Sequence, residues 1–204
     1  MMKILAAAIV ILAIAGCVGK AGPVEQYLRV SGGESPCDQS AVQGKKRIVI
    51  GLRPIKASET LDRQAVLLAR GRVMNPSTHW YWEASPASLF EQALLRALRC
   101  SPTLTAAWPV RSTTKASLTL NCVVTDFEVQ EQTMALTAAL DCQVWDGDGV
   151  SLIAARSFSA SIPASSLSAQ SIADAGAKAL ARISADANTW LESVASSAPG
   201  EAKK

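Results

Sequence analysis

The chain has 204 residues, with 20 Lys and Arg against 17 Asp and Glu, a single histidine and five cysteines. A formal charge of +3, with no basic cluster, excludes an electrostatic nucleic-acid binder. With His79 as the only imidazole and no Cys-x-x-Cys spacing, the composition also argues against a zinc site and leaves enough chain for one domain with a real core.

The elements begin with a leader. Ile4 to Ala15 is a run of 12 residues without a polar side chain, preceded by Lys3. A membrane-spanning helix needs about 20 apolar residues, so this run reads as a secretory signal peptide. Ile14-Ala15-Gly16-Cys17 looks like a bacterial lipobox. That likeness implies a signal peptide over 1–16, cleavage before Cys17, diacylglyceryl and palmitate chains on Cys17, and a lipidated tether over 17–24. Each buried CH₂ adds about 0.8 kcal/mol, so several acyl chains at one residue anchor firmly. In the sorting rule of enteric bacteria, aspartate after the lipidated cysteine retains a lipoprotein in the inner membrane. Val18 stands there, which implies the periplasmic face of the outer membrane.

Glu25 to Val30 alternates weakly and is expected to form a first strand. Residues 31–46 are a loop by their Gly, Ser and Pro content. Arg47 to Ile55 is β-branched and reads as a strand ending at Pro54, and Gln64 to Val73 as a second. Ser85 is placed as an N-cap with Pro86 at the first helical position. Leu89, Phe90, Ala93, Leu94, Ala97 and Leu98 then form one apolar stripe, and the helix is expected to stop near Cys100, before Pro102. Leu118, Leu120, Cys122 and Val124 alternate with polar or smaller neighbours, as do Leu136, Ala138, Leu140, Cys142 and Val144, giving two half-buried strands. Asp146-Gly147-Asp148-Gly149 is a tight turn. A calcium loop would need ligands at its fifth and twelfth positions, where Val150 and Ser157 stand. A strand from Val150 to Ile162 follows. A long helical face then carries Ile172, Ala175, Ala179, Leu180, Ile183, Ala187, Trp190, Leu191 and Val194, with a disordered tail over 196–204. The expected fold is α+β: a two-layer sandwich of a mainly antiparallel sheet with two amphipathic helices on one face, spanning 25–195.

Beyond Cys17, four cysteines in an oxidising compartment read as disulfides. If residues 131–133 close a hairpin, Cys122 faces Cys142 across the strands, which leaves Cys37 to pair with Cys100. Catalysis is not expected. No Gly-x-Ser-x-Gly elbow or phosphate loop occurs, and no cofactor or metal is indicated. Asp62 with Arg63 reads as an ion pair in a turn, and Asp126 with Glu128 as a solvated strand end. Trp80, Tyr81 and Trp82 crowd one stretch. They either close an edge of the sandwich or anchor a protein interface, where Trp and Tyr are favoured. Trp145 and Trp190 lie within regular elements and are placed in the core.

Three segments in order resemble the ABC-type transport auxiliary lipoproteins, the family of PqiC-like lipoproteins. The first is the strand RIVIGLRPI, with Pro54, followed by Leu61, Asp62, Arg63 and a short strand ending in Arg70. The second is HWYWEASP, which supplies Trp80 or Trp82, Glu83 and Pro86. The third is LTLNCVVTDFEVQ with a following strand, an Asp-Gly turn and LIAARSF. Two departures are visible: Gln64 stands where the family usually has Pro, and the Trp-to-Pro spacing is wider. The resemblance implies a non-catalytic accessory of an ABC lipid-transport system whose periplasmic protein carries MCE (mammalian cell entry) domains. A partner site at Trp80, Tyr81 and Trp82 would dock that protein, and self-association is compatible with the reading. A second reading is direct binding of a lipid or lipopolysaccharide, which an apolar pocket of ligand size would favour.

Overall fold

The computed structural model describes residues 24–31, 47–110 and 115–197. In chain order the elements are β1 (Gln26–Leu28), β2 (Ile48–Leu52), β3 (Lys56–Ala57), β4 (Ala65–Arg70), β5 (Val73–Trp82), α1 (Pro86–Cys100), β6 (Leu104–Ala107), β7 (Leu118–Gln130), β8 (Ala135–Asp146), β9 (Leu152–Pro163) and α2 (Ala169–Ser197). The fold class is α+β: one open sheet whose long ladders, β7–β8, β8–β9 and β4–β5, are antiparallel, with short parallel additions. The leader, Cys17 and Cys37 lie outside the described residues.

β7 organises the sheet. One of its edges pairs with β8 along its length. The other takes three parallel neighbours in succession: β2 at Leu118–Leu120, β3 at Val123–Val124 and β4 at Glu128–Gln130. β6 extends the sheet beyond β2, and β5 then β1 extend it beyond β4.

The alternating positions of β7 and β8 point their apolar set at the helices. Leu120, Cys122, Val124, Leu140 and Val144 are buried, and Trp82 and Phe90 meet at Phe127, with ring centroids 4.8 and 5.7 Å from it. Burying side chains of this size stabilises by about 1.5–3 kcal/mol each. The α1 stripe is buried as its spacing predicts, except that Ala97 is half-buried; on α2, Val194 is half-buried and the rest is inside. Trp190 packs on Phe158, at 5.6 Å.

Several local expectations are corrected. Gln64 to Val73 is not one strand: the chain turns at Gly71, which takes φ +63, and the aromatic stretch is itself β5. β3 and β6 were not foreseen. Ser85 makes no side-chain cap; its carbonyl accepts from the Leu89 N–H at 3.0 Å. α2 runs through Ser197, into the stretch expected to be tail. The β7–β8 loop holds four residues, 131–134, because Gln130 pairs with Ala135. A bulge between Val124 and Asp126 shifts the register by one, so Cys122 faces Cys142 after all. Their sulfurs are bonded, with Cα atoms 4.2 Å apart. Cys100, the last residue of α1, is also disulfide-bonded.

A candidate partner-binding site on the aromatic strand

β5 carries the aromatic stretch through an irregular ladder. Tyr81 pairs with Ala65 and Pro76 with Leu67, so Ser77 to Trp80 bulge out opposite Val66. Ser77 holds the bulge: its Oγ accepts from the backbone N–H groups of His79 and Trp80, at 3.2 and 3.0 Å. Beyond it the strand resumes, and alternation sorts the rings. Trp82 points to the helices and is fully buried. It cannot present its ring to a partner, which corrects its assignment to an exposed site. Tyr81 points to the opposite face, half-buried, and stacks on exposed Tyr27 of β1 at 5.6 Å and 31°. Trp80 is half-buried and its indole N–H donates to Gln26 Oε1 at 3.1 Å, with the His79 ring edge-on. The surface aromatic pair is therefore Tyr27 with Tyr81, while Trp80 shares the face of Trp82 and packs against the margin of the core with His79 beside it. Sequence reasoning missed Tyr27, because the parallel β1–β5 pairing joins residues 54 positions apart.

Glu83 locks β1 in place. Its Oε1 accepts from the N–H groups of Val30 and Ser31, at 2.9 and 2.6 Å, and Arg29 lies 3.7 Å from Oε2. Partial burial raises its pKa, but the hydrogen bonds from Ser31 and Val30 and the charge of Arg29 outweigh it and hold the carboxyl below the usual carboxylate range.

The other acidic residues divide by environment. Asp126 and Glu128 do not end the strand but sit at and after the β7 bulge; Asp126 is exposed, whereas Glu128 is buried. Burial pushes both upward, reinforced by Asp141 beside Asp126 and by Asp126 beside Glu128. Asp62 and Arg63 are exposed, and the ion pairs among the described residues are Arg29–Glu83 and Arg70–Glu131. Asp146 closes its turn by accepting from the Val150 and Ser151 N–H groups, at 2.7 and 3.0 Å. The hydrogen bond from Val150 is the main cause holding its pKa low. Among the described residues no group of three His, Cys, Asp or Glu side chains is placed to hold a metal. Trp145 is half-buried.

Two clefts are of ligand size. One of about 460 Å³ lies between β1 and α2, lined by Gln26, Arg29, Ser31, Gln170 and Asp174 with alanines behind. The other, about 450 Å³, lies between β3 and α1 beside Lys56, Asp62 and Glu91. Both are open rather than enclosed as a site for an acyl chain would be; the first also has Tyr27, Leu28 and Val30 in its wall.

A family model described as "ABC-type transport auxiliary lipoprotein component" matches residues 34–188. The chain belongs to this family. Its fold is similar to the crystal structure of protein XCC0632 from Xanthomonas campestris, at TM-score 0.71 and 16% identity over 84% of this chain and 97% of that one. It is also similar to a crystal structure of an uncharacterized protein, at TM-score 0.64 and 14% identity over 82% and 99%. No curated protein sequence matches the chain. No helix among the described residues is long and apolar enough to cross a membrane.

Proposed function

We propose that this member of the transport auxiliary lipoproteins is a non-catalytic accessory of an MCE-type ABC system that moves phospholipid between membranes. Lipid on Cys17 holds it to the periplasmic face of the outer membrane, and Cys37 pairs with Cys100. The domain docks on the periplasmic MCE protein through the aromatic surface of β1 and β5. The family match over residues 34–188 carries this reading. The stacked Tyr27–Tyr81 pair, with half-buried Trp80 next to it along β5, supports the choice of surface, because aromatic rings on a paired strand suit an interface anchor. Direct lipid or lipopolysaccharide binding has less support, since both clefts are open rather than enclosed.

The test is co-purification of the chain with its MCE-domain protein, with Trp80→Ala and Tyr81→Ala variants. Each substitution is expected to weaken association by about 2 kcal/mol, roughly 30-fold, with an unchanged melting curve for Tyr81→Ala and a lowered one for Trp80→Ala, whose ring packs against the core. Association that neither substitution alters removes this surface from the interface.

A further inference from the structure

Apart from Val24, Tyr27 and Val123, the large apolar side chains left exposed lie at the two ends of the sheet. At one end are Val73, Met74, Met134 and Leu167; at the other are Trp108, Val150, Leu152 and Ile153. The first group shares one platform. The β4–β5 turn and the β7–β8 turn meet there, tied by the Glu131 N–H to the Ala69 carbonyl at 2.9 Å and by Arg70 to Glu131 at 3.1 Å. The chain leaving β9 joins them, with the Ala164 N–H donating to the Met134 carbonyl at 2.7 Å. Arg70 and Arg72 are exposed on the first turn.

The N-terminal chain enters from this same end. β5 leaves the β4–β5 turn and runs toward Trp82, and β1 runs parallel to it. Val24, exposed, therefore lies on the platform side of β1. From Cys17 to Val24 is seven residues, a reach of about 25 Å at full extension. The 13 residues of β7 between the two ends span about 40 Å. A tether that short and attached at that end cannot bring the far end down to the membrane.

We propose that the platform of Val73, Met74, Met134 and Leu167 rests on the lipid bilayer. The apolar tips enter the headgroup boundary and exposed Arg72 faces anionic phosphates, while Arg70 stays paired with Glu131. The proposal builds on the lipid anchor at Cys17. It gives the domain an upright orientation, with Trp108, Val150, Leu152 and Ile153 directed into the periplasm.

Photo-crosslinking of the full chain tests this. The photoreactive residue p-benzoyl-phenylalanine is placed at position 73, 134 or 152. Each variant is reconstituted in vesicles of phosphatidylethanolamine and phosphatidylglycerol, and the N-terminal peptide is weighed by mass spectrometry. Lipid adducts at 73 and 134, with none above background at 152, are expected. Adducts at 152 alone, or at none of the three on a chain carrying lipid at Cys17, overturn the orientation while leaving the anchor intact. An N-terminal peptide without lipid overturns the anchor and the orientation together. The same variants irradiated in whole cells are expected to give lipid adducts at 73 and 134; a protein adduct there in place of lipid makes the platform a protein interface and overturns the proposal.

Discussion

Folding shifts the pKa values of Glu128 and Glu83 in opposite directions. Glu128 is buried on β7 with Asp126 nearby, and only the Gln130 amide, donating at 2.6 Å, offsets the cost. Its pKa is raised on folding, so the folded state binds more protons than the unfolded one between the ordinary glutamate value and the raised one. Stability therefore falls as pH rises through that window, and the penalty is fully present above it. Glu128→Gln should stabilise the domain near neutral pH and flatten the stability profile just above about pH 4.3, as read by urea unfolding across pH. Glu83 runs the other way. Its pKa is lowered, so its contribution is present above the unfolded value and is lost as pH falls through the folded one. Glu83→Gln should loosen β1 and speed amide exchange over residues 26–31 at neutral pH, while β7 and β8 exchange as before. An unchanged rate there would mean that the Val30 and Ser31 hydrogen bonds do not hold the strand.

Elements differ in how openly the sequence declares them. α1, α2, β7 and β8 each bury one regular stripe, so period alone finds them. β5 hides because Val73 to Pro76 are all exposed and Ser77 to Trp80 then bulge, so no alternation precedes Trp82. β3 has two residues and β6 only one fully buried side chain, Leu104, too little pattern to read. The candidate site suffered the same way: one strand residue decides whether a ring faces the helices or solvent, so Trp82 and Tyr81 could not be separated without the register. Elements also meet at glycines where a side chain does not fit. A Cβ at Gly147 would lie 2.4 Å from the Ala116 carbonyl oxygen, backbone that cannot step aside. Gly147→Ala should therefore destabilise by about 1–3 kcal/mol, seen as a lower urea midpoint at unchanged slope. At Gly176, where α2 crosses Trp82, the neighbours are side chains, Val30 Cγ1 at 2.9 Å and the indole ring at 3.2 Å. Gly176→Leu should push α2 off the indole and cost as much or more, whereas alanine needs only a small shift and gains helix propensity.

For the molecule as a whole, the bridge between Cys122 and Cys142 closes a loop of 20 residues inside the β7–β8 hairpin. The double variant Cys122→Ala with Cys142→Ala should lose about 3 kcal/mol, measured by urea unfolding under oxidising conditions. A larger consequence lies in the three parallel neighbours stacked along one edge of β7. Ile50 meets Leu118 and Leu67 meets Glu128, contacts more than 60 positions apart, whereas β7, β8 and β9 follow one another through short turns. During vectorial emergence from a ribosome or a translocation pore, the first half of the domain can pair β4 with β5 and β2 with β6, but it lacks the β7 edge that joins those pieces into one sheet. Loop-closure entropy opposes those distant pairings until the meander of residues 118–163 exists to template them. A chain that must cross a membrane before it folds gains from this order: its leading half stays threadable, and the sheet assembles from the back forward once the trailing half has arrived.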